Sequence, residues 1–510
     1  MYLTQGLHRA LQATPDAVAT IYADRRRTFR EHAERVARLA AALRRISGVE
    51  RGDRVAMLSL NSDRYLEYLL AVPWADLVFN PVNIRWAVAE IAYSLKDSGT
   101  KVLLVDDAFA HTITALREQV PEIVAVIHCG DDPTPNGALS YETLIAASDP
   151  MDDARRSGDQ LAGVLYTGGT TGFPKGVMLS HANLTTSALG TVASGGLLGP
   201  SAVFLHAAPM FHIADLAAWS GQVLLGGQHV VVPMFEPGAV IEAIEKHRPT
   251  DTLLVPTMLQ MLVDHPRIGD ADLSSLQRIL YGGSPISEGL LDRIMERLSH
   301  VRLTQAYGMT EAAPVVALLL PQDHRGGYLR SGGRAAPHAE IVIKDELGEL
   351  VPAGTVGEIC TRGGNVMNGY WNKPAETAAV LRDGWYHTGD GGYIDDDGFL
   401  FVVDRIKDMI VTGGENVYSV EVESVLSRHP AVAATAVIGL PDATWGERVH
   451  AVVVLVPGAT LEQDELIAFC KKSIAGYKVP RTFSVRDELP VSGAGKVLKR
   501  HLREERASLT

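Results

Sequence analysis

The chain has 510 residues, 46% of them hydrophobic and 21% charged, which excludes a disordered or fibrous protein and leaves room for about three domains or lobes. Its three cysteines, Cys129, Cys360 and Cys470, are too few and too scattered for a disulfide framework or a cysteine-rich metal site, which fits a cytoplasmic setting. A formal charge of −13 argues against nucleic acid as the main partner.

Residues 1–15 lack the apolar stretch of a signal peptide. Helix and strand signals then alternate up to about residue 160. Thr28-Phe29-Arg30-Glu31 has the spacing of a capping box. Ala33, Val36, Leu39, Ala40 and Leu43 follow at helical period, and Gly48 sits just beyond. Residues 55–60, 102–105 and 123–127 are short apolar runs of the kind found in strands buried on both faces, so βαβ units are expected.

Between Leu184 and Phe235 the sole Asp, Glu, Lys or Arg is Asp215. A spanning helix needs about 20 consecutive apolar residues. Gly195-Gly196, Pro209, Gly226-Gly227 and Pro233 instead divide this stretch into short pieces, with a core helix over 216–225 and a core strand over 230–232. No transmembrane segment is expected, and peripheral membrane contact stays open. Residues 252–255 and 278–281 repeat the buried-strand rhythm. After about Arg334 short strands between Gly and Pro dominate, at 340–343, 357–361 and 398–404, which predicts a β-rich sublobe. From Lys407 a further unit follows, with strands near 432–438 and 449–456 and helices over 461–475 and 500–506. Between Lys471 and Arg506 ten Lys or Arg face four Asp or Glu, so this stretch reads either as a solvated basic tail or as a local anion site.

The strongest chemical signal is Tyr166-Thr167-Gly168-Gly169-Thr170-Thr171-Gly172-Phe173-Pro174-Lys175-Gly176, placed between two predicted strands. Glycines let backbone N–H groups approach an oxyanion, threonine hydroxyls add donors, and the lysine adds a point charge. The combination suits a polyphosphate. It lacks the Gly-x-x-x-x-Gly-Lys-Ser/Thr order of a Walker A loop. A tight hairpin turn is the plainer alternative. Further on, Tyr307-Gly308-Met309-Thr310-Glu311 sets a hydroxyl beside a carboxylate after an apolar strand, an arrangement that suits a metal–phosphate site.

The loop closely resembles the phosphate loop of the adenylate-forming superfamily, in its acyl-CoA synthetase branch, and the other motifs match in the family's order from about residue 28 to Arg500. The resemblance implies an ATP-dependent acid–thiol ligase using ATP, Mg²⁺ and coenzyme A. Thr167, Gly168, Gly169, Thr170, Thr171, Gly172 and Lys175 would cradle phosphate, with Gly168 standing where the family has Ser. Thr310 would contact phosphate and Glu311 would hold Mg²⁺. Gly282 and Gly283, in Tyr281-Gly282-Gly283-Ser284-Pro285, would pass the adenine and the acyl group, and Gln305 and Tyr307 would flank the purine. Asp390, in Tyr386-His387-Thr388-Gly389-Asp390, would accept from the ribose hydroxyls, as an ionised carboxylate does. Arg405, in Asp404-Arg405-Ile406-Lys407-Asp408, would also reach ribose, and Lys407 would be the pivot of a hinge. Gly414, followed by Glu415 and Asn416, would line the pantetheine tunnel. Lys496, after Gly493-Ala494-Gly495, would be the catalytic lysine. His212, in Pro209-Met210-Phe211-His212, reads alone as a core histidine; the resemblance gives it a place beside the acyl site.

The expected fold is α/β. A large N-terminal domain, residues 1–406, carries βαβ-type sheets and the β-rich sublobe, and a small hinged α+β domain, residues 407–510, follows. Ile213, Ala214, Ala218, Trp219, Gly283 and Val315 are the expected acyl-site wall. They bring no cation for a second carboxylate, so a medium- or long-chain fatty acid is the first expectation. An aryl acid of cinnamate or benzoate type, or loading of a separate carrier protein, are the alternatives, and a non-catalytic nucleotide-binding protein is the remaining one. The sequence leaves the oligomeric state open.

Overall fold

The alternating segments assemble in a computed structural model that describes residues 1–168, 174–199, 201–442, 444–491 and 497–507, the side chains of Lys407 and Ala507 excepted. Among the described residues there are four sheets. The largest has nine strands. Its parallel centre runs from Val18–Tyr22 through Gln228–Val231, Val203–His206, Asp251–Leu254 and Arg278–Gly282 to Arg302–Gly308. Beyond that strand the direction reverses at Val315–Leu319. The second sheet has eight strands. Arg54–Leu58 lies at its centre between Val78–Pro81 and Thr100–Val105, and the antiparallel pair Leu161–Thr167 and Lys175–Ser180 lies toward one edge.

The side-chain alternation explains why these strands read as unbroken apolar runs. Val55 and Met57 join a central cluster, whereas Ala56 and Leu58 join an outer one. Val102 and Leu104 divide from Leu103 and Val105 in the same way. Successive strand residues point to opposite faces, so a strand covered on both faces must be apolar throughout. The central cluster also takes in helices Phe29–Arg45, Asp63–Trp74 and Ile213–Leu225, which lie between the two sheets. Helices Pro237–His247, Pro256–Val263 and Glu288–Arg297 cover the outer face of the nine-stranded sheet through Val240, Leu259 and Ile294. Each such buried aliphatic side chain contributes about 1.5–3 kcal/mol.

Local signals decide where helices start. Thr28 accepts from Glu31 N–H at 3.2 Å, and the Glu31 carboxylate takes Thr28 N–H at 2.7 Å, so the capping box forms. The helix expected over 216–225 begins at Ile213, because His212 caps it. The strand expected at 123–127 is Ala125–His128, since Ile123 closes a turn onto Val120. The helix expected over 461–475 is Gln463–Lys471, and the tail helix is Lys499–Ala507. No described helix is long and apolar enough to cross a membrane.

In the β-rich lobe Ala339–Lys344 pairs with Gly357–Gly363, which pairs with Trp385–Ile394, which in turn pairs with Leu400–Arg405. The last body is a five-stranded sheet centred on Val432–Asp442 and Gly446–Leu455, packed on helices Ser419–Leu426 and Gln463–Lys471 through Val437, Val449, Val422 and Leu466.

Candidate active site

The Gly/Thr loop connects two antiparallel strands, with Thr167 opposite Lys175 in register. The hairpin alternative raised by the sequence is therefore right about the flanks. Gly168 is exposed, and a Cβ there would meet nothing within 4 Å. Gly169, Thr170, Thr171, Gly172 and Lys496 lie outside the described residues. Lys175 closes the loop with Nζ 3.3 Å from Glu376 and 5.1 Å from the Tyr370 ring centroid. It thus enters the site already paired, rather than as a bare charge.

Tyr370 links that lysine to the next motif. Its hydroxyl donates to Glu311 Oε1 at 3.0 Å and also bonds Tyr386. Burial first, and the Glu311 carboxylate second, push the Tyr370 phenol far above its usual range, so it remains a donor. Glu311 lies in the short turn Thr310–Ala312, and Met367 N–H fixes its carbonyl at 2.8 Å. Its second carboxylate oxygen has no hydrogen-bond partner among the described residues. This donor set fits Mg²⁺, which takes one or two protein carboxylates and completes its shell with phosphate oxygens and water. Thr310 is buried beside it. Sequence reading missed Tyr370, because a Gly-Tyr pair before a tryptophan carries no chemical signature.

The ribose candidates are neighbours across two antiparallel strands, with Asp390 opposite Arg405. Arg405 Nε lies 3.5 Å from Asp390 Oδ1, and the Tyr307 hydroxyl donates to Asp390 Oδ2 at 2.7 Å. Glu358 braces the loop that carries Asp390. It accepts from Gly389 N–H at 3.1 Å and meets His387 Nδ1 at 2.7 Å. Glu358, Cys360 and His387 form a group of potential metal ligands, but the Arg382 guanidinium lies 2.9 Å from the same Nδ1 and already supplies the positive charge. Burial also pushes the Cys360 thiol up to about 12, away from the thiolate that binds metal.

If Asp390 holds the ribose, Asp390→Ala should raise KM for ATP roughly 10- to 150-fold, the equivalent of about 1.5–3 kcal/mol for a hydrogen bond to a charged group. KM for the acid and the melting temperature should change little. Initial rates against ATP concentration test this, and an unchanged KM for ATP would remove the ribose assignment.

Gly282 ends the strand that pairs with Gln305, and Gly283 follows it directly. A Cβ on Gly282 would come within 2.1 Å of the Ala306 carbonyl, and Gly283 has φ +80°. Both positions therefore require glycine, which leaves a bare backbone edge beside Gln305 and Tyr307.

His212 is half-buried, and its Nδ1 accepts from Ala214 N–H at 3.4 Å at the helix start. The expected acyl wall divides in two. Ala214, Ala218 and Val315 share a cluster with Leu280, Leu318 and Ala306. Ile213 and Trp219 belong to the central cluster instead, apart from Ala214, Ala218 and Val315. Asp215 is on the same helix. It is buried against His206 Nδ1 at 2.7 Å, and His206 continues to His229 at 2.9 Å.

Gly413 and Gly414 form a tight turn at φ +63° and +83° between Ile410–Thr412 and Glu415–Val417. The basic tail is less available than its charge count suggested. Lys478, Arg486, Lys499, Arg500 and Arg503 are each held by a carboxylate at 2.6–2.8 Å.

Residues 7–371 match the family described as AMP-binding enzyme, and residues 421–496 match the AMP-binding enzyme C-terminal domain. The chain is 42% identical to a feruloyl-CoA synthase of Amycolatopsis sp, over 97% of each chain. It is 37% identical to a medium/long-chain-fatty-acid–CoA ligase of Mycobacterium tuberculosis, over 94% of this chain and 86% of that one. The crystal structure of ATP-bound MatB from Rhodopseudomonas palustris superposes with a TM-score of 0.90 at 30% identity, covering 100% of both chains.

Proposed function

This chain belongs to the AMP-binding enzyme family and is an ATP-dependent acid–thiol ligase, and on that premise we propose that its acid is aromatic, of the hydroxycinnamate type. The observation that carries the choice is the 42% identity to a feruloyl-CoA synthase, against 37% to a fatty-acid–CoA ligase. The wall supports it. Ala214, Ala218 and Ala306 are small, and Val315 is β-branched, which suits a flat ring.

The acid carboxylate attacks the α-phosphorus of ATP, the bond to the bridging oxygen breaks, and pyrophosphate leaves. The loop 167–175 and Thr310 bind phosphate, Asp390 and Arg405 hold ribose, and Gln305 and Tyr307 flank the purine. Bound at Glu311, Mg²⁺ supplies charge neutralisation at the phosphates. Lys496 stabilises the charge that develops on them. The CoA thiolate then attacks the acyl carbon, AMP leaves, and Gly414 lines the path of the thiol. Lys407 is the pivot between residues 1–406 and 407–510 for the two steps. The enzyme works in the cytoplasm.

The test is pyrophosphate release and thioester formation with ferulate, 4-coumarate, benzoate, octanoate and palmitate, each with and without CoA. Hydroxycinnamates should exceed the fatty acids at least about tenfold in kcat/KM, within the range that pocket shape delivers. Faster turnover of octanoate or palmitate would reverse the assignment. Release of pyrophosphate without thioester formation would point to a carrier-protein acceptor.

A further inference from the structure

A line of polar contacts crosses the pivot proposed at Lys407. Asp404 Oδ2 accepts from Ser419 N–H at 2.6 Å and from the Ser419 hydroxyl at 2.5 Å. Asp404 stands in strand Leu400–Arg405, before the pivot, and Ser419 opens helix Ser419–Leu426, after it. Both residues are buried. The other Asp404 oxygen accepts from Arg405 N–H at 2.8 Å, which fixes the carboxylate to its own strand. The Ser419 hydroxyl has one proton, committed to Asp404, so its oxygen is left to accept. Lys499 Nζ is the donor, and the same ammonium lies 2.8 Å from Glu423 Oε1. Val437 N–H donates to that carboxylate oxygen at 2.7 Å. The line therefore runs unbroken from Asp404 to a lysine three residues beyond Lys496.

We propose that Ser419 is a positioning residue that latches residues 407–510 to Asp404 for acyl-adenylate formation and must release Asp404 before thioester formation. The inference rests on the reading that Lys407 is the pivot between the two steps. Ser419, Glu423, Val437 and Lys499 all follow Lys407 and move as one body, so within this line only the two bonds to Asp404 break. The step they favour follows from Gly414. Its turn, at 413–416, is exposed, and a Cβ on Gly414 would meet nothing within 4 Å. A glycine that lines the path of a thiol has to face a second wall, and here it faces none. The latched arrangement is therefore that of the first step. The pair Arg428–Glu288 also joins the two parts, at 3.1 Å, but its side chains are 45% and 32% exposed, where an ion pair contributes little. A buried carboxylate with two donors is the stronger tie.

The experiment measures two single-turnover rates on the whole chain: acyl-adenylate formation from ATP and the preferred acid, and transfer from supplied acyl-adenylate to CoA. Ser419→Pro deletes both donors. Proline suits the first position of a helix, and Tyr418, at φ −85° and ψ 119°, already has the extended backbone that precedes a proline, so the helix start is kept. The ratio of adenylate formation to transfer should fall at least about tenfold, the value of a hydrogen bond to a charged group. Ser419→Ala keeps the N–H and should move the ratio the same way by less. Asp404→Asn added to Ser419→Pro should bring no further change, since the bonds it weakens are already gone. Glu421→Gln removes an ion pair to Lys478 that lies wholly after the pivot, and should leave the ratio unmoved. Equal slowing of both steps in Ser419→Pro would make the contact merely structural, and a rise in the ratio would give it to the other step; either overturns the latch. Lys407→Pro, which fixes φ at the pivot, separates the two ways of failing. If it leaves the ratio unchanged, the pivot reading falls and the latch with it. If it shifts the ratio while Ser419→Pro and Asp404→Asn do not, the pivot stands and the latch is wrong. Asp404→Asn alone leaves the helix sequence intact and reads the same bonds should Ser419→Pro fold poorly.

Discussion

Lys496→Ala should slow acyl-adenylate formation by about 10²–10³-fold, the cost of losing one preorganised donor to developing charge. Transfer to CoA from supplied acyl-adenylate should stay nearly unchanged. The asymmetry comes from where charge appears. In the first step the α-phosphoryl oxygens gain negative charge as the acid attacks, and a lysine ammonium aimed at them lowers the barrier. In the second step the charge moves to the acyl carbonyl and to departing AMP. The flanks of the lysine segment are anchored: Val491 pairs with Val497, and Leu498 N–H donates to the Pro490 carbonyl at 2.7 Å. Single-turnover assays of each half-reaction, with and without ATP, measure the two rates separately. Equal slowing of both would assign Lys496 a structural role.

The sequence announced what depends on local spacing and on chemistry concentrated in a few residues. The capping box at Thr28 and Glu31 forms as read, because both partners lie within one turn. The buried strands were legible because a two-sided strand has no polar face to confuse the pattern. Asp390 and Arg405 were named from separate motifs, and the antiparallel register at their strands brings them together. What stayed hidden depends on register and on helix rotation. Trp219 was placed with Ala214 and Ala218 because it is adjacent in sequence. One residue along a helix is about 100° of rotation, enough to carry the Trp219 side chain out of the Ala218 cluster and into the central one. Tyr370 could not be foreseen at Glu311, since 59 positions separate them and a sheet edge joins them. The tail's positive charge was overread for a related reason. Its carboxylate partners Glu421, Glu423 and Asp408 stand outside the counted stretch, and folding brings them to Lys478, Lys499 and Arg503.

Glu311→Gln isolates charge from shape at the phosphate end of the site. Glutamine has nearly the same volume, and its carbonyl can still accept from the Tyr370 hydroxyl, now 3.0 Å from Glu311 Oε1. The Met367 N–H bond to the Glu311 carbonyl involves backbone and is unaffected. What disappears is one negative charge, on the residue whose second oxygen bonds no described residue. A neutral amide is a poor ligand for a hard divalent cation that prefers carboxylate oxygens. Adenylation should therefore slow by roughly 10²-fold at moderate Mg²⁺, comparable to loss of one electrostatic group at a transition state. The Mg²⁺ concentration for half-maximal rate should rise, so that added Mg²⁺ recovers part of the loss. Tyr370→Phe is the control. It removes a hydrogen bond and keeps the charge, so it should lower the rate without moving the Mg²⁺ dependence comparably. Pyrophosphate release titrated with Mg²⁺, beside a thermal melt of each variant, distinguishes the outcomes. If Glu311→Gln lowers the rate with the Mg²⁺ dependence unmoved, the carboxylate organises Tyr370 and the turn at Thr310–Ala312, and the metal must be held elsewhere.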